Sequence, residues 1–394
     1  MVAPAAESAS SAVSQPPGST PVRLRRLVLR DFRNIERADI AVPDGGLVLI
    51  GMNGHGKTNL LEAVHYAHAL RSMRGARDSD LVRFGADAFH IAAHVTGARV
   101  DELRVGADRT TRRKRLALDG AEVARLTDAL GAIPSVVLSP RDVSLVSGAP
   151  QERRRFLDIV LAATSRRYLA ALQHYRRALV RRNAVLRDAH NRPDGPALAA
   201  VWEPALAHAG AQLWMERLAW VREAGPRVRE LCTLIGEPGT VSVRYHTSAR
   251  EHLTSGASES GLRGVLTELL ARDRPSDLRR GLTQHGPHRD DLIVGLDGRL
   301  ARTFGSAGQQ RTIALALRLA EGETLRSRLE RDPILLLDDP FAELDRGRAR
   351  GVLELLSRLG DGQRILAVPR EDDVPAAFTS LARRFMVHGV IGDA

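Results

Sequence analysis

The chain has 394 residues, 58 Lys+Arg against 47 Asp+Glu for a formal net charge of +11, and one cysteine, Cys232. A lone cysteine excludes an internal disulfide and any multi-cysteine zinc site, and no apolar run approaches the ~18 residues of a membrane span. The charge balance favours a polyanionic partner, and the length allows a large core.

Residues 1–20 are rich in Ala, Ser and Pro and lack a basic n-region and an apolar h-region, so they read as a disordered tail and not as a signal peptide. This suits a cytoplasmic protein. Val22 to Leu29 alternates basic and apolar residues, the pattern of a half-buried strand. Leu47 to Ile50 reads as a buried strand and Asn59 to Val64 as the start of an amphipathic helix. Between them Gly51-Met52-Asn53-Gly54-His55-Gly56-Lys57-Thr58 is a complete phosphate loop. Its glycines let backbone N–H groups curl around an anion at a helix N-terminus. Lys57 would reach the β- and γ-phosphates, and the Thr58 hydroxyl would face Mg²⁺. The chain has only two lysines, Lys57 and Lys114. Retaining an ammonium here, in a chain that otherwise uses arginine, fits a position between phosphates.

Further short strands are expected over 89–105 and 115–119. A basic cluster, Arg109, Arg112, Arg113, Lys114 and Arg115, adjoins them. The stretch from about 150 to 275 reads as helical, with Leu172, Leu179 and Leu186 seven apart and Tyr168 and Tyr175 between them, a seam too short for a long coiled-coil arm. Gln151 to Arg192 holds eleven arginines against Glu152, Asp158 and Asp188. Arg176, Arg177, Arg181 and Arg182, with Arg112, Arg113 and Lys114, are therefore the candidate DNA contacts. Asn191 to Pro196 should break the helix, and a second should run through Trp202, Leu206, Leu213 and Leu218. Leu292 to Leu296 reads as a strand. The histidines form no metal-binding spacing.

Phe304-Gly305-Ser306-Ala307-Gly308-Gln309-Gln310-Arg311 opens a helix through Leu315, Leu319 and Leu325, with small residues at its N-terminus. Ile334 to Asp339 is an apolar strand ending in two carboxylates. Such a strand is expected beside the loop strand, with Asp338 in the Mg²⁺ shell and Asp339 orienting or deprotonating the attacking water. Most of the chain separates Lys57 from Asp338, so a large insertion divides one site.

Loop, serine-glycine turn and double-acid strand, in that order, resemble the ABC-type ATPases. The words LSPRD (138–142), GAPQERRRFLD (148–158), GPHRDDL (286–292), GSAGQQRTIALALRLAE (305–321) and LLLDDPFAELD (335–345), with Phe32-Arg33-Asn34, are similar to the bacterial RecF family over roughly residues 22–368. The resemblance implies an α/β P-loop NTPase fold, an ABC-type head with a mainly helical inserted lobe. The expected division is 21–125 and 281–394 for the ATPase parts and 126–280 for the inserted lobe. It implies a homodimer formed on ATP and Mg²⁺, with Ser306, Gly308 and Gln309 serving the partner's nucleotide and Arg33 and Asn34 near the chain's own. It also implies binding to single-stranded, gapped or junction DNA, work with RecR and RecO in RecA loading, and weak ATPase activity as a switch. Ala342 and the run Ala367-Val368-Pro369 lack the hydroxyls or imidazole expected there, which predicts slow hydrolysis. His288 and Arg289 read either as phosphate or DNA contacts or as braces of the lobe. A transporter-type ATPase subunit and a DNA clamp with negligible hydrolysis are the rival readings.

Overall fold

Apolar side chains at every second position turn the first hundred residues of the fold into one face of a core. The computed structural model describes residues 19–188, 193–247, 249, 257–342, 344–358 and 360–393. The expected tail lies outside the described residues up to residue 18. So do Asn191 and Arg192 of the expected helix break, and Glu343 of the acidic turn.

The chain runs through β1 (Thr20–Pro21), β2 (Arg23–Phe32), β3 (Ile35–Ala41), β4 (Gly46–Ile50), α1 (Lys57–Ala69), β5 (Ala88–Thr96), β6 (Glu102–Asp108), β7 (Lys114–Leu118) and β8 (Ala121–Glu122). It continues through β9 (Ser135–Leu138), α2 (Ser144–Ser147), α3 (Pro150–Thr164), α4 (Arg166–Asp188), α5 (Gly195–Ala200), α6 (Glu203–Ile235), β10 (Val241–His246), α7 (Glu259–Arg272) and α8 (Arg274–Arg280). Then come β11 (Asp291–Leu296), β12 (Arg299–Leu300), α9 (Ala301–Phe304), α10 (Ala307–Leu329), β13 (Arg331–Asp332), β14 (Ile334–Asp338), α11 (Arg346–Arg358), β15 (Arg364–Val368), β16 (Ala382–Val387) and β17 (Val390–Asp393). Thr20, assigned to the tail by sequence, pairs in parallel with Arg331, and the adjoining Pro21 with Asp332.

An antiparallel sheet has the order β3-β2-β5-β6-β7-β8. Leu27, Leu29, Ile91, Leu103, Val105 and Leu116 point inward and are buried, whereas Arg30, His90, Arg104 and Arg115 on alternate positions are exposed. A second sheet has the order β17-β16-β4-β15-β14-β9 and is parallel from β16 to β9. β4, β9, β14 and β15 are buried on both faces, as parallel strands inside a sheet must be. Leu47, Leu49, Val137, Leu336 and Ile365 share a core with α1 and the antiparallel sheet. Val48, Ile50, Leu138, Leu335, Leu337 and Leu366 belong to the other core, with α3, α4, α6 and α10.

Two expectations change here. The double-acid strand β14 is not beside the loop strand β4, because β15 lies between them, pairing Ile365 with Leu47 on one side and with Leu336 on the other. The lobe boundary also shifts: β9, drawn within 126–280, is part of the ATPase sheet, and β10, in a stretch read as helical, pairs antiparallel with β11. A short run of β-branched residues cannot declare which sheet it joins. Tyr168, Leu172, Tyr175 and Leu186 of the predicted seam are buried on α4, which packs on the 33-residue α6.

Candidate functional site

β4 delivers the phosphate loop to the start of α1. Gly54 and Gly56 have φ of +85° and +112°, values that L side chains rarely adopt. A Cβ on Gly56 would also lie 2.7 Å from the Asn34 side chain, so only glycine fits that turn. Lys57 Nζ donates to the carbonyls of Gly51 and, at 3.1 Å, Met52. The ammonium thus already sits across the loop, held by neutral acceptors that phosphate oxygens can replace. Burial lowers its pKa, while Asp338 and Asp339 favour the charged form.

α1 leaves the end of β4 and packs under β15, β14 and β9, which brings Thr58 to the acid strand although β14 is one strand removed. Thr58 Oγ1 donates to Asp338 Oδ1 at 2.9 Å. Burial raises the Asp338 pKa, opposed by Thr58, Arg74 and Lys57. A cation supplying its missing counter-charge would meet one hydroxyl and one carboxylate, the protein donors suited to Mg²⁺. Asp339 adopts φ +46°, with its N–H bonded to Ala367 O at 2.9 Å. The cleft, about 220 Å³, is lined by Asn53, Gly54, Gly56, Lys57, Thr58, Asn59, Arg74, Asp338, Asp339 and Pro369.

Several predicted contacts lie elsewhere. Gly51 and Met52 contribute carbonyls to Lys57 and do not line the cleft. The His55 ring turns to Met386 O at 3.2 Å and stacks on His388. Arg33 pairs with the fully buried Glu62 at 2.9 Å, and Asn34 donates to His55 O at 3.2 Å while accepting from Asn59 at 2.7 Å. Arg33 and Asn34 therefore brace the loop from outside. Sequence reading missed Arg74, which lines the cleft and donates to Asn59 Oδ1 at 2.7 Å. Nothing in its local pattern distinguishes it from neighbouring arginines.

Ser306 caps α10, accepting from Gln309 N at 3.3 Å while the Gln309 side chain accepts from Ser306 N at 2.9 Å. Gln309 Nε2 donates to Glu237 at 3.0 Å, and a Cβ on Gly308 would lie 2.5 Å from Arg348. None of Ser306, Gly308 and Gln309 lines the cleft of its own chain.

The basic candidates divide. Arg182 is fully buried: its guanidinium donates to Asp277 at 2.7 Å, Thr283 at 2.8 Å and Glu203 at 3.0 Å. It pins α4 to α6 and α8 and is no surface contact, because its position on α4 faces the helical neighbours. Lys114 is likewise engaged, donating to Leu70 O at 2.8 Å, pairing with Asp78 at 2.8 Å and lying over the Tyr66 ring. Arg176 pairs with Asp158 at 2.7 Å. Arg112, Arg113, Arg177 and Arg181 are exposed, Arg181 over the Trp202 ring.

His288 is a brace. Tyr175 donates to its Nδ1 at 2.7 Å and its Nε2 donates to Thr283 O at 3.0 Å, a pairing that requires the neutral Nε2–H tautomer. Burial pushes its pKa down to about 4. On α1, burial also pushes His68 down to about 4, and neither of its ring nitrogens has a hydrogen-bond partner. Unfolding restores the ordinary 6.5, so the unfolded chain binds a proton that the fold refuses. The stability is complete above pH 6.5 and declines as pH falls towards 4, by about 3 kcal/mol for His68 alone. Urea denaturation of wild type and His68→Leu at pH 7 and pH 4.5 measures this. The variant should lose clearly less stability than wild type; equal losses would refute it.

Comparisons with known proteins agree with this architecture. A family model described as the RecF/RecN/SMC N terminal domain matches residues 23–391. The DNA replication and repair protein RecF of Chloroflexus aggregans is 36% identical over 388 residues, covering 92% of this chain and 97% of that protein. That of Frankia alni is 38% identical over 370 residues, covering 91% and 96%. A solved structure of the recombination mediator protein RecF with ATP, in the RecFOR pathway, has a TM-score of 0.87 at 26% identity over 97% of this chain and 100% of that one. The Smc head domain of Pyrococcus furiosus, at 16% identity over 94% of this chain and 95% of that one with a TM-score of 0.52, shares the fold. The fold is the ABC-type α/β ATPase head expected from the motifs, and the chain belongs to the RecF family.

Proposed function

We propose that the chain is an ATP-dependent DNA-binding protein of replication and repair, in which ATP with Mg²⁺ clasps two copies together. One observation carries the reading: the cleft gathers the loop, Asp338 and Asp339, yet the capped Ser306 segment is outside it. A second copy would supply that segment, Ser306 and the backbone of Gly308 meeting the triphosphate and Gln309 joining them. Lys57 and the loop amides would hold the phosphates, Thr58 and Asp338 the metal, and Asp339 would orient water. Pro369 lines the cleft where a hydroxyl or imidazole would assist, which favours slow hydrolysis and a switch. Work with RecR and RecO in loading RecA belongs to the same proposal, supported by family membership.

For DNA, the outer face of the antiparallel sheet is favoured. Arg37, Arg30, His90, Gly106 and Arg115 stand opposite one another across β3, β2, β5, β6 and β7. The four basic side chains are exposed and form no ion pair among the described residues. Like charges directly opposite destabilise a sheet unless an anion covers them. The adjoining groove has no Phe, Tyr or Trp in its lining, which suits phosphate backbone more than stacked bases. Exposed Arg112, Arg113, Arg177 and Arg181 would extend the contact.

Solution mass with and without ATP tests the clasp. The expected result is a doubling with ATP that Ser306→Arg abolishes while ATP still binds; a constant mass in saturating ATP would refute it. Arg30→Glu with Arg115→Glu should reduce the salt slope of gapped-duplex binding by about two. An unchanged slope would move DNA off this face.

A further inference from the structure

We infer that the chain carries a second phosphate-binding cleft, formed by Arg71, Arg154 and Arg155 between α3, α4 and the segment that follows α1. It lies outside the nucleotide cleft and shares no lining residue with it. Its volume is about 270 Å³, room for one or two phosphate groups. Two sequence words that the nucleotide site leaves unused, GAPQERRRFLD and GPHRDDL, both contribute residues to its wall.

The side chains around it fall into two groups. Arg217 is engaged on every side, donating to Asp158 at 2.8 Å, Tyr168 at 2.9 Å, Tyr245 at 3.0 Å and Pro287 O at 2.8 Å. Arg176 takes the other Asp158 oxygen, and His288, kept neutral by burial, is tied to Tyr175 and to Thr283 O. These residues build the wall. Arg154 donates to the backbone carbonyl of Asp290 at 2.7 Å, and Arg155 to that of Ser72, and neither forms an ion pair among the described residues, although Asp291 lies near Arg154 and Glu152 near Arg155. Arg71, only partly exposed, has no hydrogen bond or ion pair among the described residues. Burial, and then the neighbouring Arg176 and Arg155, weaken its hold on its proton. Glu152 is the remaining carboxylate in the lining, and it is exposed.

Charged groups leave water only where a partner repays the desolvation. The lining sets Arg71, Arg154, Arg155, Arg176 and Arg217 against two carboxylates, Asp158 and Glu152, and Asp158 is taken by Arg176 and Arg217. The excess of guanidinium calls for an anion, and planar forks suit phosphate oxygens. The site is also held in place. Ser72, next to Arg71, donates to buried Glu62 at 2.5 Å while its carbonyl accepts from Arg155, so the backbone that carries Arg71 is pinned. Leu172, Leu179 and Leu213 give the cleft an apolar side, where a sugar could rest.

The phosphate could come from DNA backbone or from a free polyphosphate, and two measurements separate these sources. In the first, inorganic pyrophosphate is titrated by calorimetry into the full chain carrying Lys57→Ala, which silences the phosphate loop. In the second, the salt slope of duplex-DNA binding is measured for Arg71→Gln with Lys57 intact. Saturable pyrophosphate binding, weakened at least 10-fold by Arg71→Gln and by Arg154→Gln, supports the site with a free ligand. A DNA slope lowered by about one, without pyrophosphate binding, supports it with DNA as the source. No pyrophosphate binding together with an unchanged slope overturns the proposal, as does binding that both variants leave intact. The pyrophosphate measurement does not depend on whether the chain binds DNA. Arg71→Gln removes no hydrogen bond or ion pair among the described residues, so its melting temperature should stay close to wild type. Arg154→Gln keeps the test valid should it not.

Discussion

Arg182→Ala should destabilise the chain by about 3–5 kcal/mol in urea denaturation, the range for breaking a buried ion pair from one side. The guanidinium is fully buried and holds Asp277, Glu203 and Thr283 together, with Arg274 on the far side of Glu203 at 2.6 Å. Removing it leaves Asp277 without its ion-pair partner and also opens a cavity. Arg177→Ala, on the exposed side of the same helix, should change stability by less than about 0.5 kcal/mol. The DNA readout should reverse the order, with Arg177→Ala lowering the salt slope and Arg182→Ala leaving it unchanged under conditions where it is folded. An Arg182→Ala chain within about 1 kcal/mol of wild type would show the cluster to be dispensable.

Lys57→Ala should weaken ATP binding roughly 100-fold, since it removes charge-assisted hydrogen bonds of about 1.5–3 kcal/mol each. The ammonium bonds the Gly51 and Met52 carbonyls, so it is positioned before any phosphate arrives. Lys57→Arg should not restore binding, because a planar fork does not fit where a compact ammonium bridges the loop. Both follow from titrating a fluorescent ATP analogue. Affinity within threefold of wild type for Lys57→Ala would mean that the loop binds through its backbone alone. Fold stability should change little, since the carbonyls released are at the rim of an open cleft.

The phosphate loop, the capped Ser306 helix and the acid strand were all legible because each is a local device. A glycine-rich turn, a capping box and an apolar run ending in carboxylates state their chemistry within about ten residues. The alternation from Val22 to Leu29 likewise marked the buried face of β2. Strand order was not legible. The placement of β15 between β4 and β14 depends on the pairing of Arg364–Val368 with Gly46–Ile50, from the opposite end of the chain. β9, four buried residues long, joined the ATPase sheet for the same reason.

The basic residues mark the limit most clearly. Composition alone determined that the chain carries an excess of arginine, that it keeps lysine at the loop, and that a polyanion suits it. It could not determine which arginines face water. Arg176, Arg177, Arg181 and Arg182 are adjacent in sequence, but a helix turns each by about 100° from the next, and tertiary packing buries Arg182, pairs Arg176 and leaves Arg177 and Arg181 exposed. Likewise Arg30, Arg37, His90 and Arg115 are scattered along the chain and form one row only through strand register. Charge is a property of residues, whereas an electrostatic surface is a property of their arrangement, and only the tertiary structure supplies that.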